Sequence, residues 1–170
     1  MIKGRFIKKN KTKSGCTRYY IYDDDEKLVV SAEVQRIKPF KCYVSRSSTD
    51  FSEQGEHFLG KCKYDDTTTT MRCTANDGEQ RQIKAKIGHQ NKTPSPEYQI
   101  DGITQNLPEL VGGEWMLGER KYSSPDAEFT KDGQQCFSIV KEYEDEYLIS
   151  YNLSLFEGMC LAIMIEISQE

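Results

Sequence analysis

A chain of 170 residues with 36% apolar and 11% aromatic side chains is sized for one domain with a core of its own, and its spaced apolar runs exclude disorder throughout. The net charge of −4 argues against a generic DNA-coating protein, yet it hides a division: residues 1–92 carry 19 basic and 12 acidic side chains (+7), and residues 93–170 carry 4 and 15 (−11). The longest nearly unbroken apolar stretch, Gly158 to Ile165, is far short of the roughly 20 residues needed to span a bilayer.

In chain order, residues 1–15 read as a basic segment expected to fray. The opening MIKGRFIKKNKTK has no apolar stretch that would make it a secretory signal. Strand patterns rich in β-branched and aromatic residues follow at Tyr19–Tyr22, Leu28–Val34, Cys42–Ser45, His57–Lys63, Thr69–Ala75 and Ile83–Ile87. Further ones fall at Tyr98–Ile100, Trp115–Leu117, Phe137–Val140 and Tyr147–Tyr151. Turn clusters punctuate them: Asp23-Asp24-Asp25, Asn76-Asp77-Gly78, Gly112-Gly113 and Lys131-Asp132-Gly133. Many short strands at this spacing suggest a sandwich or a barrel.

The last segment breaks the rhythm. Ser154-Leu155-Phe156-Glu157 has the pattern of a capping box, in which the Ser hydroxyl and the Glu carboxylate satisfy free amides at a helix start. The run after it, Gly158 to Ile165, is apolar on every face, and such a helix must be surrounded. In a chain of strands the natural surround is a closed antiparallel β-barrel with a central hydrophobic C-terminal helix. One more buried strand is the plain alternative, which periodicity does not separate. A helix through the bore also argues against a ligand-carrying barrel.

The six cysteines, Cys16, Cys42, Cys62, Cys73, Cys136 and Cys160, form no CxxC pair, and only His57 and His89 stand beside them as zinc ligands. They read as reduced, buried thiols of a cytosolic protein. The chain has no nucleophile elbow and no phosphate-binding loop, and Glu142, Glu144, Asp145 and Glu146 read as a solvated turn. No enzyme activity, cofactor or metal is expected.

Four patches resemble the C-terminal domain of the tubby family. Tyr19-Tyr20-Ile21-Tyr22 with Lys27 to Ala32 resembles its opening hairpin. Tyr43-Val44-Ser45, Thr49-Asp50-Phe51-Ser52 and Phe58-Leu59-Gly60-Lys61-Cys62-Lys63 resemble a run of family motifs in the same order. Asn91-Lys92-Thr93-Pro94 matches a family tetrapeptide, and Tyr151 to Leu155, continuing to Ala162-Ile163, aligns with the terminal segment. The resemblance implies a closed barrel around a hydrophobic helix. It also implies binding of phosphatidylinositol 4,5-bisphosphate by basic side chains, and a role as a membrane-docking adaptor in trafficking or signalling, the cilium included.

Carried onto this chain, the resemblance names Arg36, Lys38 and Lys41 before one strand and Lys61 and Lys63 on the next as the phosphoinositide site. Lys63 stands where the family has an Arg, and Asp65 and Asp66 follow where it has uncharged residues. The expected partner is an anionic headgroup on the plasma or ciliary membrane, bound by a cytoplasmic monomer; a nuclear location is also open. The acidic half leaves room for a protein partner, so the competing reading is an interaction scaffold that kept the barrel and lost the lipid site. Nucleic acid is not expected, since no aromatic–basic stacking pattern is present. The run Arg81, Lys84, Lys86 and Lys92 alternates with apolar residues and reads as the wet face of a strand.

Overall fold

The computed structural model describes residues 1–9, 15–35, 40–65, 70–76, 82–90, 93–100, 103–106, 127–131 and 134–167. The strands are β1 (Ile2–Lys9), β2 (Cys16–Asp23), β3 (Leu28–Gln35), β4 (Phe40–Ser45), β5 (Phe58–Asp65), β6 (Thr70–Ala75), β7 (Gln82–Gln90), β8 (Thr93–Ile100), β9 (Ile103–Asn106), β10 (Ala127–Lys131), β11 (Gln134–Tyr143) and β12 (Glu146–Tyr151). Among the described residues they form one 12-stranded sheet in the order β10-β11-β12-β1-β2-β3-β4-β5-β6-β7-β8-β9, and every pairing is antiparallel. The chain meanders from neighbour to neighbour with one exception: β12 returns to pair with β1. The helix α1 (Leu155–Ile167) follows β12 directly. The expected strand at Trp115–Leu117 and the Gly112-Gly113 turn lie outside the described residues.

Period-2 alternation explains which face is buried. Phe6 on β1, Tyr19 and Ile21 on β2, Val30, Ala32 and Val34 on β3, and Val44 on β4 are all fully buried. Phe137, Ile139, Ile149 and Tyr151 continue the set on β11 and β12. The helix is buried from Phe156 through Ile163 and again at Ile165 to Ile167. It touches β3, β5, β6 and β7, packs Gly158 on Tyr151 of β12, and reaches β1 and β2 through Glu166. The expectation of a mostly β chain with a buried apolar C-terminal helix is therefore met; among the described residues the sheet runs from an edge at β10 to an edge at β9, and these two strands do not pair. Its start is also as the sequence indicates: the Glu157 amide donates to Ser154 Oγ at 3.1 Å.

The N-terminal segment expected to fray is instead a strand held on both sides. Residues 2–7 of β1 pair with β12, and residues 4–9 pair with β2. The basic residues conceal it because one of them takes an inward position. Lys8 Nζ lies 2.6 Å from Glu166 Oε1, with only 11% of its side chain exposed. Two strands missed by pattern, β9 and β10, are short and mostly polar, so they carry almost no alternation. The long strand β8 contains Pro94 and Pro96, which pair only with β7; its pairing with β9 begins at Glu97. Proline is tolerated there because one side of the strand needs no donor.

Two glycines set the fit of the helix. A Cβ on Gly158 would fall 2.2–2.4 Å from ring atoms of Tyr151, and one on Gly60 would fall 2.5 Å from Phe156 Cε1. Gly158→Ala is thus expected to destabilise the protein despite the ~1 kcal/mol that Ala gains in helix propensity. The overpacking cost of about 1–3 kcal/mol outweighs that gain. Urea denaturation of the variant measures the difference, and a rise in stability would mean that Tyr151 moves aside freely.

Candidate functional site

Alternation places the candidate lysines of β4 and β5 on the outside. Cys42 and Cys62 are 3% and 2% exposed and face the core, while Lys41, Lys61 and Lys63 are exposed. Register then determines their neighbours. Lys41 stands directly opposite Lys63, Lys63 opposite Arg72 on β6, and Arg72 opposite Lys84 on β7. Four cationic positions therefore form one row across four adjacent strands. At about 4.8 Å per strand the row is roughly 14 Å long.

The adjacent row is different. It runs Lys9, Arg18, Glu33, Tyr43, Lys61 and Thr74, and Arg18 and Lys61 in it are neutralised. Arg18 Nη2 lies 3.1 Å from Glu33 Oε2, and Lys61 Nζ lies 3.2 Å from Glu53 Oε2. Arg5, further round the sheet, is held by Glu146 at 3.0 Å. Among the described residues no ion pair neutralises Lys41 or Lys63. Like charges directly opposite in a sheet are unfavourable by roughly 0.2–1 kcal/mol per pair. An anion laid along the row removes that repulsion.

Glu53 is delivered by the connection between β4 and β5, whose shape is set locally. Asp50 Oδ1 accepts from the Ser52 amide at 3.0 Å and from Ser52 Oγ at 2.8 Å. These bonds hold the Asp50 carboxyl below its ordinary pKa. Ser47 Oγ accepts from the Asp50 amide at 3.0 Å, and the Arg18 guanidinium covers the Phe51 ring at 5.2 Å. The resulting Lys61–Glu53 pair has about half of each side chain exposed, so it is worth at most about 1 kcal/mol. A polyanion competes with Glu53 for Lys61. Glu53→Gln is accordingly expected to raise affinity for anionic vesicles by up to about fivefold, the weight of one basic residue at a membrane; a sedimentation assay reads it, and unchanged affinity would place Lys61 outside the site.

The five residues indicated by the sequence thus separate. Lys41 and Lys63 come together, Lys61 shares their face but is engaged by Glu53, and Arg36 and Lys38 lie outside the described residues. Gln35, the last described residue before them, pairs with Lys41. Asp65 ends β5 opposite Thr70, and Asp66 is outside the described residues. Arg72 and Lys84 were not foreseen as members. Arg72 stands alone in a run of threonines, and Lys84 belongs to the run read as a wet strand face. Only the pairing register brings the two into line with Lys63.

No protein-family model and no curated protein matches this chain. Among the described residues no three His, Cys, Asp or Glu side chains are grouped to hold a metal, and no helix is long and apolar enough to cross a membrane. Cys16, Cys42, Cys62 and Cys160 are buried, as the sequence indicated.

Proposed function

We propose that this protein is a phosphoinositide-binding, membrane-docking adaptor module, similar in design to tubby-like proteins: a closed barrel around its C-terminal helix with a cationic row on its outer wall. The observation that carries the reading is the line Lys41, Lys63, Arg72 and Lys84, four opposed cationic positions within one register. A headgroup bearing several phosphates matches a row of like charges better than a single carboxylate does. The lysines act as point charges, and an arginine adds two-pronged phosphate recognition. What supports wrapping of the sheet around the helix is the helix's burial together with its contacts to β3, β5, β6 and β7.

At about 1 kcal/mol per basic residue near an anionic surface, three or four give roughly hundredfold to thousandfold enrichment, which is transient docking. Flotation with phosphatidylcholine vesicles, with and without phosphatidylinositol 4,5-bisphosphate, tests the reading. Binding is expected only with the phosphoinositide and is expected to weaken as salt rises. Equal recovery with neutral vesicles contradicts it.

One observation favours the scaffold reading. Val140 and Leu148 stand opposite each other on β11 and β12 and are 42% and 47% exposed, with Tyr143 nearby at 64%. A protein bound there would dock on the acidic half of the chain. That reading expects a stable partner lost on Leu148→Glu, and no vesicle binding.

A further inference from the structure

We propose that the outer face of the β11–β12 hairpin with β1 and β2 is the docking site for an amphipathic helix of a partner protein, one with an apolar stripe and basic flanks. Among the described residues the large apolar side chains left exposed are Met1, Val140, Tyr143 and Leu148, and three of these four sit on this hairpin. Scattered singly they would need no explanation; gathered on one hairpin they mark a contact surface. Register extends it. Val140 stands opposite Leu148, Leu148 opposite Arg5, Arg5 opposite Tyr22 and Tyr22 opposite Leu28. In the neighbouring row Tyr143 stands opposite Glu146, and Glu146 opposite Ile7. The positions that alternate with them, Phe6, Ile21, Ile139 and Ile149, are buried, so both rows face outward. At about 4.8 Å per strand the first row is roughly 19 Å long, the length of a helix of about 13 residues.

Charge decides what covers this face. Arg5 interrupts the apolar row, but its guanidinium is already engaged by Glu146 at 3.0 Å and Glu26 at 3.4 Å, and its aliphatic stem continues the apolar surface. Residues 23–26 are acidic throughout, and residues 142–146 are acidic apart from Tyr143. Against these eight carboxylates stand Lys3, Arg5, Lys9, Lys27 and Lys141, so surplus negative charge borders the apolar rows. A basic flank complements that border and speeds encounter. An anionic membrane is repelled by it, so the face is not a second lipid contact. A helix laid on the outer side of a sheet is an ordinary way of covering such a surface. The cationic row lies elsewhere. Leu28 starts β3 on this face, whereas Gln35, opposite Lys41, ends it, roughly 23 Å along the strand. Both sites can be occupied at once.

The proposal gives a chemistry to the partner that the scaffold reading sets on this hairpin, and it holds whether or not the cationic row takes lipid. Two helical peptides of about 15 residues, sharing one leucine stripe, carry either lysine or glutamate on their flanks. Fluorescence anisotropy reads their binding to the full chain. The lysine peptide is expected to bind, more weakly as salt rises, and the glutamate peptide is not. Leu148→Glu adds an acid, which would strengthen a purely electrostatic contact. It is expected instead to weaken the lysine peptide about tenfold or more, the effect of losing a central apolar anchor. Val140→Thr, which keeps a β-branched side chain on the strand, is expected to act in the same direction and decides the matter should Leu148→Glu not fold. Partition of Leu148→Glu onto phosphoinositide vesicles is expected to match the wild type; absence of vesicle binding in both proteins counts against the lipid reading alone. Equal binding of the two peptides, or a lysine peptide held as tightly by Leu148→Glu as by the wild type, would overturn the proposal. So would a dimer of the chain that Leu148→Glu dissolves, since it assigns the face to a second copy.

Discussion

Glu166→Ala is expected to lower the unfolding free energy by about 3–5 kcal/mol, the cost of breaking a buried ion pair from one side. Glu166 is 5% exposed in the last turn of the helix. A carboxylate there opposes the helix dipole, whose negative end lies at the C-terminus. The sheet supplies the compensation: Lys8 Nζ at 2.6 Å on one oxygen and the Tyr19 hydroxyl at 2.6 Å on the other. Removing the carboxylate takes from the nearly enclosed Lys8 ammonium and the buried Tyr19 phenol an acceptor at 2.6 Å. It also releases the far end of the helix from β1 and β2. The double variant Lys8→Met, Glu166→Leu is expected to cost less than Glu166→Ala alone, since no charge is left behind. Urea denaturation followed by circular dichroism measures all of these. A loss below about 1 kcal/mol for Glu166→Ala would reduce the contact to the weight of a surface pair.

The second large effect is on binding. Lys41→Glu with Lys63→Glu changes the row by four charge units, so at about 1 kcal/mol per unit the partition onto phosphoinositide vesicles is expected to fall roughly a thousandfold. Both side chains are exposed and stand opposite each other. The reversal therefore replaces one like-charge pair with another, and stability is expected to change little. An unchanged thermal melt beside lost vesicle binding separates the site from the fold. Retained binding in the folded variant would remove Lys41 and Lys63 from the site.

Much of the architecture was legible because alternation and capping are local signals. Ser154 and Glu157 announced the helix, and the aromatic run Tyr19 to Tyr22 announced the hairpin. β1 was not legible: Lys8 occupies an inward position, and its compensation by Glu166 lies 158 residues away. The candidate site was legible in kind and only partly in membership. Alternation alone put Lys61 and Lys63 on one face. The pairing of Lys61 with Glu53 depends on how the Asp50 turn folds back, which no periodicity reports. Arg72 and Lys84 join Lys63 through strand register. Register across β5, β6 and β7 aligns Cys62 with Cys73 and Cys73 with Ile83, a long-range match that no local pattern reports.

The central claim is that the row begun by Lys41 and Lys63, rather than the total positive charge of the outer wall, holds the headgroup. The most direct measurement compares Lys63→Ala with Lys61→Ala in vesicle partitioning, because the two variants carry the same net charge and sit two residues apart on one exposed strand face. Lys63→Ala is expected to lose about fivefold or more, the weight of one basic contact, and Lys61→Ala distinctly less, since Glu53 already occupies its charge. Equal losses from the two variants, or the larger loss at Lys61, would contradict the account.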